Sequence, residues 1–120
     1  MTGIDRRKML HGRICKGRCG SNPFPFSDLR AAKKRPALVV ATLAGNDVIL
    51  CQITSQAVAD SYAVPLTDSD FTSGGLRQAS NVRPNRLFTA ESSIILYRAG
   101  TISAARMQEV LARLVQILTM

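Results

Sequence analysis

Aromatic side chains make up only 5% of the 120 residues, and tryptophan is absent. That excludes an RNA-binding sheet of the kind that stacks bases on paired aromatics. One histidine is present, His11, in a stretch without apolar periodicity. A Ser-His-Asp or Cys-His catalytic site is therefore not expected. No apolar run approaches the roughly 20 residues that cross a bilayer. The opening MTGIDRRKML has no apolar core of a signal peptide, so the expected compartment is the cytoplasm, with no membrane partner. No phosphate-binding loop is found, because Gly74-Gly75 lacks the Lys-Ser/Thr that would follow. Asp68 and Asp70 read as loop acids, and no carboxylate cluster suggests a metal. Three cysteines, at 15, 19 and 51, are an odd number and read as free thiols. Zinc on His11, Cys15, Cys19 and Cys51 is the weaker alternative. The C-x3-C spacing is loose, and Cys51 sits in an apolar run where it packs as a small hydrophobe. No metal or cofactor is expected.

The charge, by contrast, is strongly one-sided. The formal net charge is +8, with ten Lys and Arg against two Asp in residues 1–35 and six against six thereafter. Such asymmetry points to an anionic partner or to a solubilising basic tail. At 46% apolar residues the chain can bury a core, and its length suits one domain. Two regions are expected: residues 1–22, an irregular basic segment, and residues 23–120, an ordered domain.

From Pro23 onward the pattern is regular. PALVVATL (36–43) is a continuous apolar run and reads as a buried strand. AGND (44–47) is turn chemistry, and VILCQIT (48–54) is the returning strand. YAVPL (62–66) reads as an edge strand, since Pro65 cannot donate to a central ladder. DSDFTSGGLRQAS (68–80) reads as loop or a short helical turn. NVRPNRLFT (81–89) alternates, with Val82 and Leu87 inward and Arg83 and Arg86 outward around a proline irregularity. SIILYR (93–98) is a strand ended by Gly100. The final segment is a helix capped by Ser103. Met107, Val110, Leu111, Leu114, Ile117 and Leu118 form its apolar stripe, and Glu109 and Arg113 an i,i+4 pair. Strands followed by one helix predict a mainly β architecture, a small barrel covered by a C-terminal helix.

The candidate chemistry lies at strand ends. Arg30, Lys33, Lys34 and Arg35, with Asp28 the one nearby acid, run directly into the aliphatic strand. Pro36 biases Arg35 towards an extended conformation. Thr54 and Ser55 end the partner strand, and Arg83 follows Val82 in a later one. Guanidinium forks match phosphate oxygens, so cations and hydroxyls on a rigid sheet suit phosphate recognition. The plain alternative is an Arg35–Asp28 surface pair beside a strand-ending threonine.

PFPFSDL…KKRPALVV, then ITS, then GGL…SNVRPNRLFT, then a terminal helix, resembles the PemK/MazF-like toxins of type II toxin–antitoxin systems over about residues 23–118. The resemblance implies an SH3-like barrel, usually a homodimer, that cleaves single-stranded RNA at short sequences without metal. It also implies a cognate antitoxin, expected to be acidic from charge. Carried over to this sequence, it makes Arg35, Thr54 and Arg83 the catalytic group. Asp28, Lys33, Lys34, Ser55, Asn85 and Arg86 become the surrounding RNA contacts. The alternative is a catalytically impaired or non-nuclease protein of the same fold that binds an antitoxin or a topoisomerase.

The sequence departs from the family pattern in three places. Some members carry an aspartate two positions after the later arginine, where this chain has Asn85, and some use a loop histidine absent here. In the third, Lys16, Gly17 and Pro23 are in register with the family, but the hydrophobic first strand between them is replaced by RCGSN. Codons that spell KGRCGSNP can, one base later, spell Lys-Gly-Asp-Val-Val-Leu-Ile. The expectation is a local frame shift that costs the barrel a core strand.

Overall fold

The computed structural model describes residues 13–17 and 35–120. Among the described residues the chain forms seven strands and one α-helix. These are β1 (Arg13–Gly17), β2 (Arg35–Thr42), β3 (Asp47–Thr54), β4 (Val64–Leu66), β5 (Phe71–Gly74), β6 (Ser80–Glu91), β7 (Ile95–Ile102) and α1 (Ala104–Leu118). All strands join one antiparallel sheet in the order β4-β6-β3-β2-β1-β7-β5. The mainly β architecture with a C-terminal helix is as the sequence implies.

The central runs of β2 and β3, residues 37–41 and 48–51, are apolar because both faces of their sheet are covered. Leu38, Val40, Cys51, Ile53 and Val82 point to one face and pack with Val64, Leu66 and Ile102 beneath Met107, Val110 and Leu114 of the helix. Ala37, Val39, Val48 and Leu50 point to the other and pack with Phe88, Ala90, Ile94 and Ile95. The β2–β3 turn carries Gly45 at φ +72°, the left-handed conformation that glycine adopts without a Cβ penalty.

Several expectations are corrected. The segment read as irregular contains β1, which pairs with both β2 and β7. The slot between those strands is therefore filled by RICKG. Pairing satisfies backbone groups that two facing open edges would otherwise leave exposed. Residues 18–22 lie outside the described residues. DSDFTSGG is a 3-10 turn followed by the edge strand β5, invisible to periodicity because Thr72, Ser73 and Gly74 are all exposed. Gly100 lies inside β7 rather than ending it: β5 approaches so closely that a Cβ there would sit 2.7 Å from the Ser73 carbonyl oxygen. Leu87 is 39% exposed, and Arg83 is half-buried rather than outward.

The helix begins as expected, with the Ser103 hydroxyl accepting from the Arg106 N–H. Leu118, placed in the apolar stripe, is 72% exposed. Glu109 pairs with Arg106 instead of Arg113, and Arg106 also reaches Asp70 at 2.9 Å. Asp70 is held below the usual carboxylate range first by the Thr67 N–H and then by Arg106. This ion pair fastens the turn before β5 to the first turn of the helix.

Gly74, at φ +64°, leaves a Cβ no room against the Ala99 carbonyl. Gly74→Ala is expected to destabilise the fold by about 1–3 kcal/mol, read from the urea midpoint. Burial pushes the Cys51 thiol up to about 12, so it stays protonated where a free thiol, of pKa about 8.5, begins to ionise. Iodoacetamide at about pH 8 should leave Cys51 unmodified in the native protein and alkylate it in urea, as peptide mass spectrometry will show.

Candidate active site

The site follows from register. Gln52 of β3 lies between Ala37 of β2 and Arg83 of β6, while Thr54 lies opposite Asn81. Alternate residues of a strand share a face. Thr54 therefore lies on the same face as Gln52, and Arg35 on the same face as Ala37. Three strands thus direct Arg35, Thr54 and Arg83 towards one side, at the end of the sheet where β2 begins and β3 finishes.

A pocket of about 150 Å³ is lined there by Arg35, Pro36, Ala37, Gln52, Ile53, Thr54, Arg83 and Phe88. A second, more open pocket of about 350 Å³ is lined by Thr54, Gln56, Ala57, Val58, Ala59, Asp60 and Arg83. The two pockets share Thr54 and Arg83, which form a wall between them.

The β6 backbone at this wall is irregular. Cys51 pairs with Leu87 but the next residue, Gln52, pairs with Arg83, so Pro84, Asn85 and Arg86 form a bulge. Pro84 is fully buried and sits where no ladder N–H is needed. The bulge aims Arg83 into the pocket. The Arg83 Nη2 donates to Asp60 Oδ2 at 3.0 Å, with the two side chains 24% and 25% exposed. The Nε of Arg83 is buried and has no hydrogen-bond partner among the described residues. A buried donor left unpaired costs about 1–3 kcal/mol. The Thr54 Oγ1 accepts from the Gln56 N–H at 3.1 Å. That bond leaves the hydroxyl's own proton available to donate.

Of the other residues assigned by sequence, Ser55 is exposed just beyond β3. Asn85 and Arg86 are exposed in the bulge, and the Asn85 amide donates to Asp60 Oδ2 at 3.4 Å. Asp28, Lys33 and Lys34 lie outside the described residues. Sequence reasoning missed Gln52, Phe88 and Asp60. Gln52 carried a signal, being the one polar residue within an apolar strand.

Residues 23–118 match the family of PemK-like, MazF-like toxins of type II toxin–antitoxin systems. The chain belongs to this toxin family. No curated protein sequence matches it. Among solved structures, the toxin's fold is similar to a mycobacterial endoribonuclease in complex with its cognate antitoxin, at TM-score 0.70 and 16% identity, over 92% of this chain and 95% of that one. It is similar to the Mycobacterium tuberculosis toxin MazF-mt6 at TM-score 0.66 and 18% identity, over 90% and 97%. A MazE–MazF structure from Deinococcus radiodurans gives TM-score 0.65 and 18% identity, over 92% and 95%.

Burial of the toxin's Asp60 raises its proton affinity, but the Tyr62 N–H, the Arg83 guanidinium and the Ala63 N–H outweigh that and hold the carboxyl below its usual range. A carboxylate whose folded pKa is depressed stabilises the fold above its unfolded pKa, and loses that contribution as pH falls through the folded value. Asp60→Asn should therefore lower the urea midpoint at neutral pH. The gap from the parent should start to close as pH falls through about 3.9 and vanish below the folded pKa, in a pH series of urea melts.

Proposed function

We propose that this toxin-family protein is a metal-independent endoribonuclease that cleaves single-stranded RNA, with Arg35, Thr54 and Arg83 binding the scissile phosphate. The observation that carries this reading is that the three side chains, 48 positions apart along the chain from first to last, line one pocket. Arg83 brings a guanidinium to it that Asp60 already holds by Nη2. Thr54 brings a hydroxyl whose oxygen is already anchored.

The reaction suited to this group is attack of a ribose 2′-oxygen on the adjacent phosphorus. The new O–P bond closes a 2′,3′-cyclic phosphate and the bond to the 5′-oxygen breaks. The 2′-hydroxyl gives its proton to solvent water, and the departing 5′-oxygen takes one from water. Negative charge builds on the phosphoryl oxygens in the transition state. Fixed donors aimed at that charge lower the barrier. Arg83 and Arg35 supply the positive charge and Thr54 orients the phosphate. The two pockets meeting at Thr54 and Arg83 give the flanking nucleotides a place on either side. Neither arginine acts as the base, since a guanidinium keeps its proton.

The exposed Arg86 and Asn85 suit the edge of an RNA path, joined by Ser55, Asp28, Lys33 and Lys34. A cognate antitoxin, a homodimeric assembly and a cytoplasmic setting complete the reading. They are supported by the family membership and by the antitoxin bound to the mycobacterial endoribonuclease of similar fold. A local frame shift across residues 16–22 is also proposed, and sequencing the gene tests it: an unshifted frame there removes it.

Purified protein should cut a long single-stranded RNA at discrete positions, equally with or without EDTA, and leave cyclic-phosphate ends. Arg35→Ala, Thr54→Ala and Arg83→Ala should each slow cleavage by about 10²–10³-fold while remaining folded by circular dichroism. Intact RNA from the wild-type protein would favour the non-catalytic alternative.

A further inference from the structure

Asp60 belongs to no motif, yet it is the most heavily bonded side chain at the site. Its Oδ1 accepts from the backbone N–H groups of Tyr62 at 3.0 Å and Ala63 at 3.2 Å. Its Oδ2 accepts from Arg83 Nη2 at 3.0 Å and Asn85 Nδ2 at 3.4 Å. One carboxylate therefore closes the loop between β3 and β4 upon itself and ties it to the β6 bulge.

We infer that Asp60 is a positioning residue for catalysis, holding the Arg83 guanidinium by one edge so that its remaining N–H donors face the pocket. The inference rests on the endoribonuclease reading above. Its geometry is direct. Arg83 has five donors in a rigid planar fork, and a carboxylate that fixes one nitrogen fixes the plane of all of them. With Nη2 engaged by Asp60, Arg83 is held where it lines both pockets, its Nε buried within the protein. An arginine on an irregular strand would otherwise sample many rotamers, and the entropy of fixing it would fall on the transition state. Asp60 is not suited to take the 2′-hydroxyl proton itself, because four donors already occupy its two oxygens. Its negative charge also repels an RNA backbone. Its removal should accordingly weaken catalysis without weakening binding.

That combination separates positioning from a simple structural role. Asp60→Asn keeps an oxygen for the Tyr62 and Ala63 N–H groups while removing the charge that grips Arg83. Asp60→Asn and Asp60→Ala should lower kcat for single-stranded RNA by about 10–100-fold, with KM unchanged or lower. Asp60→Glu should recover part of the rate. In an Arg83→Ala background the same Asp60 substitutions should change kcat by less than about threefold, because residues that act as a unit are non-additive. A folded Asp60→Asn protein with wild-type kcat overturns the inference and leaves the endoribonuclease reading standing, and so does a loss that persists undiminished without Arg83. Intact RNA from the wild-type protein overturns the endoribonuclease reading and, with it, any catalytic role for Asp60. The clamp itself is read without activity. The Arg83 Nε–H resonance in 15N spectra should be sharp and slow to exchange in the wild-type protein and broadened in Asp60→Asn, whereas identical resonances overturn the inference.

Discussion

The placement of every candidate catalytic group depends on one strand, β3, being paired on both sides. Its register with β2 fixes how far along the sheet Arg35 emerges. Its register with β6 fixes where Arg83 does. Thr54 is its own last residue. The side-chain alternation of a sheet has a period of two, so a slip of one residue in either pairing would send one arginine to the opposite face, beneath the helix. The apolar residues interleaved with the site residues prevent that slip. Leu38, Cys51, Ile53 and Val82 are buried under α1, and a shifted register would expose them and bury charge. The core beneath the helix thus sets the geometry of the opposite face.

The bulge in β6 adds what a regular ladder cannot. Three residues without partners on β3 tilt the strand at Arg83 and present Asn85 and Arg86 to solvent. The same irregularity accommodates a buried proline within a long strand. Arg83 is consequently held from two directions, by backbone pairing to Gln52 and by the Asp60 carboxylate from a loop that belongs to neither strand. Its charge is kept partly buried beside an acceptor, while one of its donors remains unsatisfied.

The basic N-terminal third reaches this site through Arg35, the first residue of β2. Its described part contributes β1 to the sheet, between β2 and β7. There it serves the continuity of the fold through backbone pairing, a contribution that composition and charge do not reveal.

Taken alone, the sequence determined the β2–β3 hairpin, the edge strand around Pro65, the irregularity at Pro84, the Ser103 cap and the helix. Each is written in local chemistry: a continuous apolar run, a glycine turn, a residue unable to donate a hydrogen bond, a hydroxyl at a helix start. Arg35, Thr54 and Arg83 were legible through motif resemblance. The tertiary structure alone decided that β1 and β5 are strands, because both exist through pairing with neighbours distant in the chain and neither carries an amphipathic period. It alone decided that Arg106 bonds Asp70, that Arg83 points inward and that Asp60 grips it. Asp60 and Arg83 are 23 residues apart, and no spacing rule connects a loop acid to a bulge arginine until the loop is folded across the strand between them.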